Sequence, residues 1–101
     1  AAVIVARDQD GGTTYVALFQ GVIIGVLQVR ERHIALLFVL PELQSRGVGR
    51  ALLRAADAEI KCLSVHASAN SVSAYMRYGF MPSGADQLAD DGIRFIPMRR
   101  A

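Results

Sequence analysis

What this chain lacks narrows its function before any motif is read. It holds one cysteine, Cys62, so no disulfide can close within it, and a lone thiol suits a reducing cytoplasm. Cys62 is read as a small buried residue rather than a nucleophile. The two histidines, His33 and His66, stand apart with no further ligand at zinc spacing, so no metal is expected. Charge of one sign is scarce: 11 basic and 9 acidic side chains leave a net +2. No basic stripe with interleaved aromatics appears, so no nucleic-acid partner is expected, and the terminal "MRR" reads as a solvated tail. Long hydrophobic runs are missing too. The longest, "VALFQGVIIGVLQV", is broken by Gln20, Gly21, Gly25 and Gln28 and falls short of the roughly 18 to 20 residues of a membrane span. No signal-peptide pattern opens the chain, and no repeat or low-complexity tract follows. These absences leave a single cytoplasmic domain over residues 1–101. The 52% of apolar residues fill its core, and in so small a domain they are compatible with a homodimer.

The runs that are present alternate between two periods. "AAVIVA" (1–6) is a short apolar run of either type, and "RDQDGG" after it is turn chemistry. "TTYVALF" (13–19), "VIIGVLQV" (22–29) and "HIALLFVL" (33–40) read as strands, joined by Gln20-Gly21 and by the charged turn "RER". Connections this short predict an antiparallel meander. Gly25 within a strand marks a bulge or a close backbone approach. From residue 48 to 60 the period becomes helical, with Val48, Leu52, Leu53, Ala56 and Ile60 on one face. "CLSVHA" (62–67) alternates as a strand that should run parallel to the third. "ANSVSAYMRY" (69–78) reads as a helix capped by Asn70 or Ser68 and ended by Gly79. "FMPSGADQL" and "IRFIPM" (93–98) form a closing hairpin across Asp91-Gly92. The predicted order is β-β-β-α-β-α-β-β, a mixed α/β (α+β) fold with a mostly antiparallel sheet and flanking helices.

The segment "LPELQSRGVGRALL" (40–53) carries the chemistry. It leaves a strand end and opens a helix, where the first N–H groups have no internal partners and the dipole is positive, so an anion is stabilised. Gly47 and Gly49 remove the Cβ atoms that would hold a phosphate off, and either can take positive φ. Arg46 and Arg50 add charge at the rim. A Walker loop needs Gly-Lys-Ser/Thr, and Gly49-Arg50-Ala51 does not supply it. The dinucleotide fingerprint wants a third small residue where Leu52 stands, and an acid near the end of the next strand, where His66, Ala67 and Ser68 stand instead. Two readings remain: Gln-x-x-Gly-x-Gly, from Gln44 to Gly49, as an anion turn after a strand that ends in Pro-Glu, or a plain helix-entry turn whose glycines serve packing.

This segment, with the strand before it, resembles the coenzyme A-binding motif of the GNAT N-acetyltransferase superfamily. "LSVHASANSVSAYMRYGF" resembles that family's next strand and helix, with the Tyr-x-x-x-Gly-Phe signature at Tyr75, Gly79 and Phe80. "GIRFIPMRR" resembles the closing strand of small bacterial members. The likeness covers roughly residues 14 to 100. It implies a GNAT-like sheet and acetyl-CoA as co-substrate. The backbone N–H groups of Arg46, Gly47, Val48, Gly49, Arg50 and Ala51 would hold the pyrophosphate, with Gln44 and Ser45 in the same motif. Phe38, Val39 and Leu40 would offer main-chain groups to the pantetheine arm, Asn70 would meet the arm from the far side, and Tyr75 would protonate the departing thiolate.

Such a transfer asks little covalent chemistry of the protein. The amine must be deprotonated, the carbonyl polarised by a backbone N–H, and the two held within about 3 to 3.5 Å. Tyr75 is a suitable acid for the thiolate. No carboxylate stands on the strands where members carry a general base, so His66, acting through water, is the candidate, with His33 and Ser64 as lesser ones. Ser45 stands where the family often has a basic residue. Tyr78 and Glu42 are read as packing and loop-shaping residues. Family members usually begin with a strand and two helices that wall the acceptor site. Only "AAVIVARDQDGG" precedes the meander here, so that part is expected to be reduced or absent. The expected activity is direct acetyl transfer from acetyl-CoA to a small-molecule or peptide amine. The competing expectation is a non-catalytic acetyl-CoA-binding or regulatory module on the same fold.

Overall fold

The computed structural model describes residues 2–7 and 11–101; Asp8 to Asp10 of the expected first turn lie outside the described residues. The chain divides into two compact units, residues 1–62 and 63–101.

The first unit is the predicted meander with one more strand. Strands β1 (Ala2–Arg7), β2 (Thr13–Phe19), β3 (Val22–Arg30) and β4 (His33–Val39) pair antiparallel in chain order. The apolar run of undecided type is therefore a strand, paired from Ala2↔Leu18 to Arg7↔Thr13. Gln20 and Gly21 both take positive φ (52° and 78°), as a two-residue hairpin turn matched to strand twist requires. Glu31 and Arg32 do the same with side chains attached (50° and 67°).

Helix α1 (Val48–Glu59) buries Gly49, Leu52, Leu53 and Ala56, a stripe at i, i+3, i+4 and i+7. It packs against β2 and β3. The expected stripe is corrected at one end: Ile60 is extended (φ −146°) and 47% exposed, because the helix stops at Glu59. Gly25 accounts for how close the helix comes. A Cβ there would stand 3.0 Å from Val48 Cγ1, 3.1 Å from Leu52 Cδ1 and 3.2 Å from the Phe38 carbonyl oxygen. Beside it the pairing slips between Ala17 and Leu18, leaving Ile24 as the extra residue. Both readings of Gly25, bulge and close approach, hold together. The C-terminal end of α1 is tied to the sheet by Glu59, which accepts a hydrogen bond from the Tyr15 hydroxyl at 2.6 Å and pairs with Arg7.

The second unit is built around its last strand. β5 (Ser64–Ala67), β6 (Met81–Pro82) and β7 (Gln87–Leu88) all pair antiparallel with β8 (Arg94–Arg99). The predicted hairpin is present, but its first arm is divided into β6 and β7. β5 begins at Ser64, two residues later than expected. Helix α2 (Val72–Arg77) follows a 3-10 turn at Ala69–Ser71. Neither Asn70 nor Ser68 caps it with a side chain; the Ser68 and Ser71 hydroxyls bond each other at 2.9 Å instead. Gly79 (φ 98°) ends the helix as predicted. The Phe80 N–H reaches back to the Tyr75 carbonyl and the Gly79 N–H to that of Met76, each at 3.0 Å, the bonding of a glycine helix terminus. Phe80 and Met98 are fully buried, and Val65 and Ala67 of the same unit are buried as well.

The described residues form a mixed α/β fold of antiparallel ladders and two helices. No helix of these residues is long and apolar enough to cross a membrane.

Candidate functional site

The expected site residues fall in both units: residues 38–51 in the first, His66, Asn70 and Tyr75 in the second. In the first, the chain leaves β4 through a 3-10 turn at Pro41–Leu43. The Leu43 N–H bonds the Leu40 carbonyl at 2.9 Å. The Gln44 side-chain amide donates to the Val39 carbonyl at 3.1 Å, so Gln44 clamps the turn to the strand it has just left.

Ser45 (φ 64°) and Gly47 (φ 87°) are left-handed, while Arg46 and Val48 keep negative φ. Alternation of this kind turns successive N–H groups into one concavity, an anion-holding nest. At Gly47 a Cβ would meet nothing within 4 Å. Its glycine is required by conformation, and the space beside it is open. Gly49 does not take positive φ; it lies buried in the first turn of α1, where it serves packing. Ser45 was not foreseen as left-handed. A serine there costs on the order of 1 kcal/mol, and nothing in its residue type announces it.

The first bond of the helix runs from the Ala51 N–H to the Gly47 carbonyl at 2.9 Å. The N–H groups of Val48, Gly49 and Arg50 stand ahead of it. Ala51 is thus corrected as a pyrophosphate donor, since its N–H is committed within the helix. The Leu40 N–H is engaged by β3, bonding the Ile24 carbonyl at 3.0 Å. Main-chain groups alternate sides along a strand, so Val39, the residue before, turns its N–H away from β3. Phe38 is paired with Val26, and its side chain is 48% exposed. Arg46 and Arg50 are exposed at the mouth of the turn.

In the second unit Tyr75 is 7% exposed. It packs edge-on against Phe80 at 5.8 Å and Tyr78 at 6.1 Å between ring centroids. Arg100 fastens this group, lying 4.5 Å over the Phe80 ring and donating to the Tyr78 carbonyl at 2.9 Å. The Tyr-x-x-x-Gly-Phe pattern is therefore a helix terminus that folds Phe80 back beneath Tyr75. Burial, and secondarily Tyr78, pushes the Tyr75 hydroxyl up to about 12, so it stays protonated throughout the neutral range. Asn70 is exposed on the 3-10 turn. His66 is exposed on β5 and stacks on Phe95, with centroids 4.2 Å apart and planes at 21°. Among the described residues no three His, Cys, Asp or Glu side chains converge as a metal site.

The acetyltransferase (GNAT) domain family matches residues 3–101. Among solved structures, a GCN5-related N-acetyltransferase of Rhodopseudomonas palustris is 24% identical, with a TM-score of 0.77 over 91% of this chain and 62% of its own. An acyl-CoA N-acyltransferase of Pseudomonas aeruginosa is 25% identical, with a TM-score of 0.68 over 89% and 68% respectively. The PaiA N-acetyltransferase of Thermoplasma acidophilum, solved with coenzyme A, is 19% identical, with a TM-score of 0.72 over 90% and 62%. The chain thus spans under two thirds of the first and third of these proteins. No curated protein sequence matches it.

Proposed function

We propose that this chain, which belongs to the GNAT acetyltransferase family, moves an acetyl group from acetyl-CoA to an amine acceptor by direct transfer. The observation that carries the reading is the nest at residues 45–48, left-handed at Ser45 and Gly47 and opening α1. Such a concavity suits a pyrophosphate, and open space lies where a Cβ at 47 would stand. The N–H groups of Arg46, Gly47, Val48, Gly49 and Arg50 hold the anion, with the Arg46 and Arg50 guanidiniums at the rim. Gln44 and Ser45 give the turn its shape. Val39, between Phe38 and Leu40, presents main-chain groups to the pantetheine arm, and Asn70 binds the same arm. The Val39 N–H, turned away from β3, is the donor to the thioester carbonyl.

The neutral amine attacks the carbonyl carbon, giving a tetrahedral intermediate. The carbon–sulfur bond then breaks, and the Tyr75 hydroxyl gives its proton to the sulfur. Water relays the proton lost by nitrogen to His66, and solvent restores that of Tyr75. The acceptor class is a small-molecule or peptide amine.

Calorimetric titration with acetyl-CoA tests the binding half, with desulfo-CoA and ATP as comparisons. The expected result is micromolar binding of acetyl-CoA and none of ATP, abolished in Gly47→Glu. Absence of acetyl-CoA binding, or equal binding of ATP, overturns the reading. Binding without turnover across a panel of amines leaves the chain as an acetyl-CoA-binding module.

A further inference from the structure

The Tyr75 hydroxyl needs a fixed direction to reach a departing sulfur, and among the described residues no hydrogen bond supplies one. Its aim comes from the ring, which is gripped by two others. Tyr78 and Phe80 both meet it edge-on, with planes at 83° and 81°, a preferred arrangement of aromatic pairs. Tyr78 closes α2, and Phe80 follows across Gly79, left-handed at φ 98°. The backbone bonds of this helix terminus fix the main chain of Phe80. They do not fix its ring, nor that of Tyr78.

Arg100 spans that turn. Its backbone N–H bonds the Leu63 carbonyl at 3.0 Å, which roots the side chain just ahead of β5. The stem passes Gly79, where a Cβ would stand 3.9 Å from Arg100 Cδ. The guanidinium then serves both flanks. Nη1 donates to the Tyr78 carbonyl at 2.9 Å, and Cζ lies 4.5 Å over the Phe80 ring. The last carbonyls of a helix have no partner within it, so a cationic donor suits that end. A cation over an aromatic face is attracted to it. One guanidinium can do both, because its donors lie in its plane and its face stacks; an ammonium has no such face. We propose that Arg100 is a positioning residue for Tyr75: it holds Tyr78 and Phe80 in register across Gly79, and through them the direction of the phenol. This assignment rests on the Tyr75 hydroxyl being the acid of the transfer. Its consequence is a loss that passes through that hydroxyl alone.

A double-mutant cycle reads this directly, with acetyl-CoA and the fastest amine of the turnover panel as substrates. Wild type, Arg100→Met, Tyr75→Phe and the double variant are compared by steady-state kinetics, and by calorimetry for acetyl-CoA affinity. Methionine keeps a flexible stem beside Gly79 and removes the guanidinium. In Arg100→Met, kcat should fall about 5- to 50-fold, since a misplacement of about 1 Å costs up to about 100-fold. The acetyl-CoA dissociation constant should stay within about twofold. In the Tyr75→Phe background the same replacement should change kcat by less than about twofold, because no phenol proton remains to misdirect. Arg100→Lys keeps stem and charge and should recover part of the turnover; if Arg100→Met loses the wild-type circular dichroism, the lysine variant carries the cycle. An unchanged kcat in Arg100→Met, or an equal loss in both backgrounds, overturns the proposal and leaves the acid role of Tyr75 standing. A wild type without turnover, or a Tyr75→Phe variant as active as wild type, overturns the acid role and this assignment together.

Discussion

Replacing Gly25 with alanine should destabilise the first unit and weaken cofactor binding through one cause. The added methyl would stand 3.0 Å from Val48 Cγ1, 3.1 Å from Leu52 Cδ1 and 3.2 Å from the Phe38 carbonyl oxygen. Normal carbon contacts lie near 3.5 to 4.0 Å, so the neighbours must give by a few tenths of an ångström. Val48 is β-branched and stiff in a helix, Leu52 is fully buried, and the third neighbour is backbone of β4. None can yield alone, so the first turn of α1 lifts from the sheet. Overpacking of this kind costs about 1 to 3 kcal/mol. The stiffer unfolded chain returns about 0.4 to 1 kcal/mol, leaving a net loss of about 1 to 2 kcal/mol. In a domain of this size that lowers the melting temperature by roughly 4 to 16 °C. Because Val48 opens the helix whose N-terminus follows the nest, acetyl-CoA affinity should fall with it. Differential scanning calorimetry with and without acetyl-CoA measures both effects. An unchanged or raised melting temperature would refute the close-approach argument. A lowered one with undiminished affinity would separate Gly25 from the binding turn.

Two further outcomes follow from the tyrosines. Tyr75→Phe should lower turnover about 100-fold or more while leaving acetyl-CoA affinity within a factor of about two, read by steady-state kinetics beside calorimetry; equal loss of both would make Tyr75 a binding or packing residue. Stability should fall as pH rises from about 10 to about 12. Burial and then the Glu59 hydrogen bond push Tyr15 up to about 12, and burial does the same for Tyr75. The unfolded chain releases these protons first, near 10, so stability is intact below that and lost above it. Each contributes at most roughly 2 to 3 kcal/mol. Urea denaturation at stepped pH should show the decline, and Tyr15→Phe should flatten it; an equally steep decline in that variant would refute the assignment.

The parts of this molecule legible in the sequence are those fixed locally. Gln20-Gly21 separates two β-branched runs, and only a tight turn satisfies both. The spacing of Leu52, Leu53 and Ala56 selects a helix, and Gly79 marks its successor's end. β1 was not legible as a strand, because the apolar run of residues 1–6 has no alternation to separate strand from helix. In the turn, Gly47 was readable as a left-handed residue, while Ser45 was not. The commitments of the Leu40 and Ala51 N–H groups depend on which carbonyl lies opposite, which spacing does not encode. The Arg7–Glu59–Tyr15 group joins residues 52 and 44 positions apart, and no local pattern links them.

The strand arrangement of residues 63–101 also has a consequence for synthesis. β5, β6 and β7 pair within that unit only through β8, and β8 comes last in the chain. While the ribosome extends the polypeptide, the meander of residues 2–39 can close hairpin by hairpin, each strand meeting a neighbour already made. β6 and β7 have no partner strand until residue 94 has emerged. Their ladder must form after the others, by contacts of longer sequence separation, and that separation slows folding. The same segment that organises the unit therefore sets the moment at which its ladder can be completed.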